Sequence, residues 1–194
     1  MTVAPVSRRL LVCSLGNPGS QYALTRHSAG HILLRLASSR MGSPPLQKDS
    51  NYKGPLTRTP CGTYTFFASP SYMNVSGGAL KHAWKTFLKE LQGAERESAL
   101  MVVLHDDMEK PPGQCRFRCT GSAQGHNGLK SVIESFATKD ILRIGIGIGR
   151  PKEREPVMVA DYVLRQPIPR EMEELETTAV GKVVSHLKHI QQGL

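Results

Sequence analysis

The sequence predicts a single α/β domain, a mixed, twisted sheet flanked by helices, and three observations carry that prediction. Short apolar runs at residues 8–15 (RRLLVCSL), 99–104 (ALMVVL) and 141–148 (ILRIGIGI) have the length and composition of buried strands. Between them apolar residues recur at helical spacing, as Ile32, Leu33, Leu36 and Ala37 do. A chain of 194 residues with 39% hydrophobic content is long enough for one substantial core and too short to expect two.

Taken in order, the first strand ends in Asn17-Pro18-Gly19, where Pro18 fixes φ and Gly19 can take positive φ. A helix follows over 29–41, closed by Gly42 and the Pro44-Pro45 pair. Residues 46–54 read as polar loop, and 55–60 with 62–68 as a hairpin around Cys61-Gly62. A helix over 76–91 carries Leu80, Trp84, Phe87, Leu88 and Leu91 on one side. Residues 93–98 form a charged connection to the strand at 99–104. A strand at 114–120, a loop at 121–125, a short helix at 129–136 and the Ile/Gly strand at 141–148 complete the sheet region. A charged, Pro-bounded loop at 150–156 precedes a last amphipathic helix over 170–192. There is no internal repeat.

Four segments each place Asn, Asp or His at the end of an element. Asn17 sits on the first turn and His27 at the start of the first helix. Asn74 precedes the helix at 76, Asp106 follows the strand ending at Leu104, and His126-Asn127 opens another helix. Polar side chains where strands give way to turns occupy the usual site position of α/β folds. Histidine is the side chain whose ordinary pKa suits proton transfer near neutral pH.

Charge narrows the partner. Lys+Arg of 25 against Asp+Glu of 16 leaves +9, which argues for a polyanion, RNA most simply. Residues 1–48 hold five Arg, one Lys and no acid, and residues 1–9 read as a basic extension of a domain that otherwise spans 1–194. Such a start has transit-peptide character, but Asn17 and His27 require any presequence to end before about Leu10. The cytoplasm is therefore the expected compartment, with a mitochondrial location left open. No apolar run approaches the roughly 18 residues that span a bilayer. Cys13, Cys61, Cys115 and Cys119 show no metal or redox spacing and are expected to be buried free thiols.

Other chemistries lack their context. Gly145-Ile146-Gly147-Ile148-Gly149 lies inside a strand with no helix after it, against a dinucleotide fingerprint. No G-x-S-x-G elbow offers a serine nucleophile, and His27 and His31 lack the Glu of H-E-x-x-H.

The motifs GNPGSQYALTRH, SYMNVSG, HDDMEKPPG and GHNGLKS, in this order and spacing, closely resemble the bacterial-type peptidyl-tRNA hydrolases. The resemblance runs from about Leu10 to the C-terminus. It implies a peptidyl-tRNA hydrolase-like (phosphorylase/hydrolase-like) fold and hydrolysis of the ester between a peptide and the 3′-terminal ribose of tRNA. It carries over His27 as the key catalyst with Asp106 as its partner. Asn17, Tyr22, Asn74 and Asn127 carry over as substrate-binding residues, with His126 at the edge of the site. Arg116, Arg118 and Arg143 fall where the family places basic residues for tRNA phosphate, a contact suited to the planar guanidinium. The implied partner is tRNA bearing a peptidyl group, met free or at the ribosome, with no metal, no organic cofactor and no membrane. A monomer is expected.

Three departures stand out. Ser28 replaces the Asn that usually follows the His, residues 120–124 (TGSAQ) are less glycine-rich than usual, and Asp107 and Glu109 exchange the commoner Glu and Asp. Two rival functions stay open, a non-catalytic RNA-binding relative and a peptidase on a similar scaffold.

Overall fold

The computed structural model describes residues 8–193. The apolar runs become strands β1 (Leu10–Ser14), β4 (Tyr64–Ala68), β5 (Leu100–Asp107) and β7 (Leu142–Gly147). Three shorter strands, β2 (Gln47–Asp49), β3 (Gly54–Arg58) and β6 (Cys115–Arg118), pair at the margins. One seven-stranded sheet results, in the order β2-β3-β4-β1-β5-β7-β6. Its centre is parallel (β4, β1, β5, β7), while β2, β3 and β6 pair antiparallel. The sheet is therefore mixed, as expected.

The alternation of strand side chains divides the core in two. Leu10 and Val12 of β1 face a layer with Phe66, Leu104 and Ile144, covered by α1 (Ala29–Arg40) and α7 (Val180–Gln192). Leu11 and Cys13 face the other layer, where α2 (Ser76–Glu90) and α4 (Asn127–Phe136) bring Leu80, Phe87, Leu129 and Val132. All five residues of β1 are buried because helices cover both faces. Each large apolar side chain buried this way contributes roughly 1.5–3 kcal/mol. The parallel strands all end at one edge of the sheet, at Ser14, Ala68, Asp107 and Gly147.

Several elements differ from the sequence expectation. The polar stretch at 46–54 contains β2, turned into β3 by Asp49, whose Oδ1 accepts N–H bonds from Asn51 and Tyr52 at 2.9 Å each. The charged connection after α2 holds the short helix α3 (Gly93–Glu97). β5 runs three residues past Leu104, so His105, Asp106 and Asp107 lie within the strand, paired with Gly145, Ile146 and Gly147. Beyond the loop, α5 (Pro156–Leu164) was not foreseen; Pro156 at its first turn suits a helix start. The last helical region begins earlier, at α6 (Pro169–Glu174), and passes through a π turn at Leu175–Ala179 before α7.

The thiols also depart from expectation. Cys13 is buried, but Cys61 and Cys119 are exposed and Cys115 is half-buried. Of the basic extension, residues 1–7 lie outside the described residues. Arg9 pairs with Glu95 at 2.8 Å, and Arg8 donates to the Ile190 carbonyl at 3.3 Å. No described helix is long and apolar enough to cross a membrane.

Candidate active site

The strand-end edge gathers the four polar segments. After β1, Asn17 turns back so that its Oδ1 accepts the Met73 N–H at 2.9 Å, tying the first loop to the Asn74 turn. Gly19 takes φ +99° in that loop. A 3₁₀ turn over Arg26–Ser28 then presents His27 just before α1. Gly30 lets α1 sit against the strand ends, because a Cβ there would lie 2.6 Å from the carbonyl oxygens of both Leu15 and Leu104. Asp106 comes from the end of β5, and His126 caps the N-terminus of α4.

These placements bring two histidines onto one carboxylate. His27 Nδ1 lies 2.9 and 3.0 Å from the two Asp106 oxygens, and His126 Nε2 lies 2.8 Å from Oδ1. Burial works against a charged Asp106, but the two histidines outweigh it and hold its carboxyl well below the usual carboxylate range. Asp106 is thus an acceptor only, and both ring nitrogens facing it carry protons.

The remaining ring nitrogens then have distinct roles. His126 Nδ1 accepts the Leu129 N–H at 3.2 Å, so its lone pair is occupied by the helix cap. His105, behind them, donates Nδ1–H to the Asp106 carbonyl at 2.7 Å, and burial pushes its pKa down to about 3. His27 keeps a lone pair at Nε2 with no partner among the described residues. Burial lowers its pKa, but the charge and hydrogen bond of Asp106 outweigh that and raise it above the ordinary value. Of the three rings, His27 alone combines an unengaged nitrogen with raised basicity.

Metal binding meets an obstacle in the same hydrogen bonds. His27, Asp106 and His126 place ligand atoms within 4.8 Å of one another. A metal on His126 Nε2 would require a proton on Nδ1, where the Leu129 N–H already donates. The cluster is arranged for protons.

Beside it opens a cavity of about 600 Å³. Asn17, His27, Asn74, Asp106, His126 and Asn127 all line it. Asn74 and Asn127 are exposed, and their side-chain amides make no hydrogen bond among the described residues. Tyr22 does not line the cavity; it packs edge-on against the exposed Tyr72, ring centroids 6.5 Å apart. Tyr72 does line it, so Tyr22 touches a residue of the cavity wall.

Arg116, Arg118 and Arg143 form a basic stretch of the wall. Arg116 is exposed and Arg118 half-buried, whereas Arg143 is 1% exposed, which differs from an open phosphate clamp. Its Nη2 donates to the carbonyls of Ser122 and Thr120 at 2.9 and 3.5 Å, while Nη1 is buried with no partner among the described residues. The cause is its place on β7, opposite Arg118 of β6 and beneath the 120–122 loop.

The departures can now be placed. Ser28 is buried, accepts from Thr25 Oγ1 at 3.4 Å and does not line the cavity. Gln124 does line it, at φ +50°, a left-handed conformation that costs a side-chain-bearing residue roughly 1–2 kcal/mol. Asp107 Oδ1 accepts the Glu109 N–H within the turn, Glu109 pairs with Arg150 of the loop after β7, and both exchanged acids line the cavity. The sequence reading missed the apolar wall, Val159, Ala160, Val163 and Leu164 of α5. Its only signal was the apolar run after Pro156.

Two buried histidines carry a stability prediction. Burial, with like charges nearby, lowers His105 to about 3 and His31 to about 4, from an ordinary 6.5. Between about pH 6.5 and 4 the unfolded chain therefore binds up to two more protons than the folded one. Stability falls as pH drops through that window, by up to about 2.7 kcal/mol per pH unit. Urea unfolding at pH 6.5 and 5 measures this, and an unchanged midpoint would contradict the two neutral rings.

An Asp-oriented histidine in a basic-walled cleft, at the strand ends of a mixed α/β sheet, defines a hydrolytic enzyme of the α/β class. The comparisons name the family. The peptidyl-tRNA hydrolase family model matches residues 11–194. The peptidyl-tRNA hydrolase of Frankia alni is 40% identical over 167 residues, 85% of this chain and 79% of the relative. The probable peptidyl-tRNA hydrolase of Schizosaccharomyces pombe is 34% identical over 182 residues, 93% of this chain and 82% of the relative. The crystal structure of peptidyl-tRNA hydrolase from Acinetobacter baumannii superposes with a TM-score of 0.77 at 28% identity, covering 98% of this chain and 92% of that one. The chain belongs to the peptidyl-tRNA hydrolase family.

Proposed function

We propose that this single-domain protein cleaves the ester between peptide and tRNA 3′-terminal ribose with His27 as the general base. Water gives its proton to His27 Nε2 as it attacks the ester carbonyl. Asp106 holds the ring by Nδ1–H and stabilises the imidazolium that forms. The observation that carries this reading is the free Nε2 of His27, beside two rings whose nitrogens are occupied or barely basic. The neutral amides of Asn74 and Asn127 can donate to the developing oxyanion or accept from substrate N–H and O–H groups without adding charge. Asn17 uses its oxygen on Met73, which leaves its NH₂ for the substrate. His126 also holds Asp106, donating Nε2–H to the same Oδ1.

The basic wall supports tRNA binding. Arg116 and Arg118 offer accessible guanidinium groups, whereas Arg143 Nη1 is buried and would meet a phosphate oxygen only where the 120–122 loop moves aside on binding. Arg118→Ala should weaken tRNA binding and reduce its salt slope by about 1, and Arg118→Ala with Arg143→Ala by about 2. Affinity measured from 50 to 200 mM salt checks this; an unchanged slope argues against a phosphate contact. All proposed catalytic groups come from one chain, which fits action as a monomer. Action on peptidyl-tRNA supports a site of translation as its compartment, the cytoplasm first, with the mitochondrion as the alternative.

Release of N-blocked aminoacyl groups from tRNA by the purified protein tests the whole reading, with free aminoacyl-tRNA as control. Cleavage of the blocked substrate supports it. Tight tRNA binding without turnover would favour an RNA-binding relative instead, and turnover of peptides without RNA a peptidase.

A further inference from the structure

Arg26 shares the 3₁₀ turn with His27, and the chemistry above gives it no task. It is 7% exposed. Its Nη2 and Nε donate to Glu171 Oε2 at 2.7 and 3.2 Å, and Nη1 donates to the Tyr162 carbonyl at 3.4 Å. The guanidinium carbon lies 4.3 Å from the centroid of the Tyr162 ring, a cation–π contact. The Arg26 N–H donates to the carbonyl of Arg165, the residue that ends α5, at 2.9 Å. Glu171 Oε2 also accepts the Ile168 N–H at 3.0 Å, fixing the start of α6. One buried side chain thus gathers α5, α6 and the link between them.

α5 depends on that anchorage. It supplies the cavity wall through Val159, Ala160, Val163 and Leu164, yet Val157, Met158 and Leu164 are exposed and only Val163 is buried. A helix with so little of its own surface in the core relies on its attachments. Two come from Arg26, and a third is the Tyr162 hydroxyl, which donates to the Ile148 carbonyl at 2.6 Å.

We propose that Arg26 is a positioning residue that couples the α5 wall of the substrate cavity to the alignment of His27 with Asp106. The turn is three residues long, so a shift at Arg26 moves the His27 backbone with it. His27 Nδ1 is nearly equidistant from the two Asp106 oxygens, and a displacement of about 1 Å would break that geometry. Arginine suits the task because its fork and its flat face bind at once, which lysine cannot reproduce. The titratable groups that face His27 are Asp106 from β5 and His126 from the start of α4.

The proposal rests on His27 as general base, so its test reads ring and reaction separately. Arg26→Lys and Glu171→Gln proteins would be compared with the wild type by NMR titration of the His27 ring. The pH dependence of kcat and KM on N-blocked aminoacyl-tRNA would be measured beside it. The expected result for Arg26→Lys is a His27 titration at lower pH, as the hold of Asp106 loosens, with kcat down about tenfold. Glu171→Gln should shift both in the same direction by less, and it serves alone if the Arg26 variant does not fold. A raised KM with an unshifted His27 titration and wild-type kcat would overturn the coupling and leave Arg26 as a support for α5. Turnover retained by His27→Ala would instead remove the general-base reading, while the ring titration would still decide the coupling.

Discussion

Replacing His27 with Ala should leave a folded protein that still binds tRNA and loses about 10²- to 10⁴-fold in kcat. The size of the loss follows from the proton inventory of the site. His126 cannot substitute, because its Nε2 carries a proton toward Asp106 and its Nδ1 is held by the Leu129 N–H. His105 cannot either, since burial holds it at about 3 and no proton would stay on it near neutral pH. Folding should survive because His27 is only partly buried, in a short turn rather than in either core layer. In the wild type, kcat/KM should rise with pH as His27 loses its proton, at a pH above that of an ordinary histidine. That acid limb should vanish in the variant. Comparable turnover in a well-folded His27→Ala protein would end the assignment of His27 as the base.

Most of the sheet and the partners of the site were legible in the sequence, for physical reasons that also explain the omissions. β1, β5 and β7 are buried on both faces, so their apolar runs announced them without ambiguity. The meeting of His27, Asp106 and Asn127 was legible because each sits where an element begins or ends on the same edge. β2 was lost because it is a three-residue edge strand of polar residues, stabilised by backbone pairing that leaves no pattern. α5 was lost because its short sequence is apolar nearly throughout, which masks the stripe of Val159, Ala160, Val163 and Leu164 that faces the cavity.

The burial of Arg143 is a different kind of omission. An arginine in an Ile-Gly strand reads as the exposed exception to an apolar run. Here Gly121, where a Cβ would come within 3.1 Å of Arg143 Nη2, leaves room for its side chain, and two loop carbonyls bind it. Tyr22 lies outside the cavity lining for a similar reason, since nothing in the sequence says that its ring packs against Tyr72. Motif position located the functional loops, but which side chain of a loop reaches the cavity depends on packing from elsewhere in the chain.

Asp106→Asn should cost about as much as losing His27, up to about 10⁴-fold in kcat, although it changes the shape of the site very little. Both histidines donate to Asp106 Oδ1, and His27 lies as near to Oδ2. An asparagine can keep its oxygen at the Oδ1 position, which satisfies His126. Its NH₂ then falls at the Oδ2 position and confronts the His27 Nδ1–H, donor against donor. The ring escapes by moving its proton to Nε2 and accepting from the amide, which consumes the lone pair needed for the water. Catalysis is lost through the wrong tautomer, with His27 still present. A second effect separates this variant from His27→Ala. With the carboxylate gone, burial acts on His27 unopposed, and its pKa falls below the ordinary value. The residual activity of Asp106→Asn should therefore show an acid limb at lower pH than the wild type, where His27→Ala shows none. Wild-type kcat with an unmoved acid limb in a folded Asp106→Asn protein would mean that the carboxylate neither fixes the tautomer nor raises the basicity of His27.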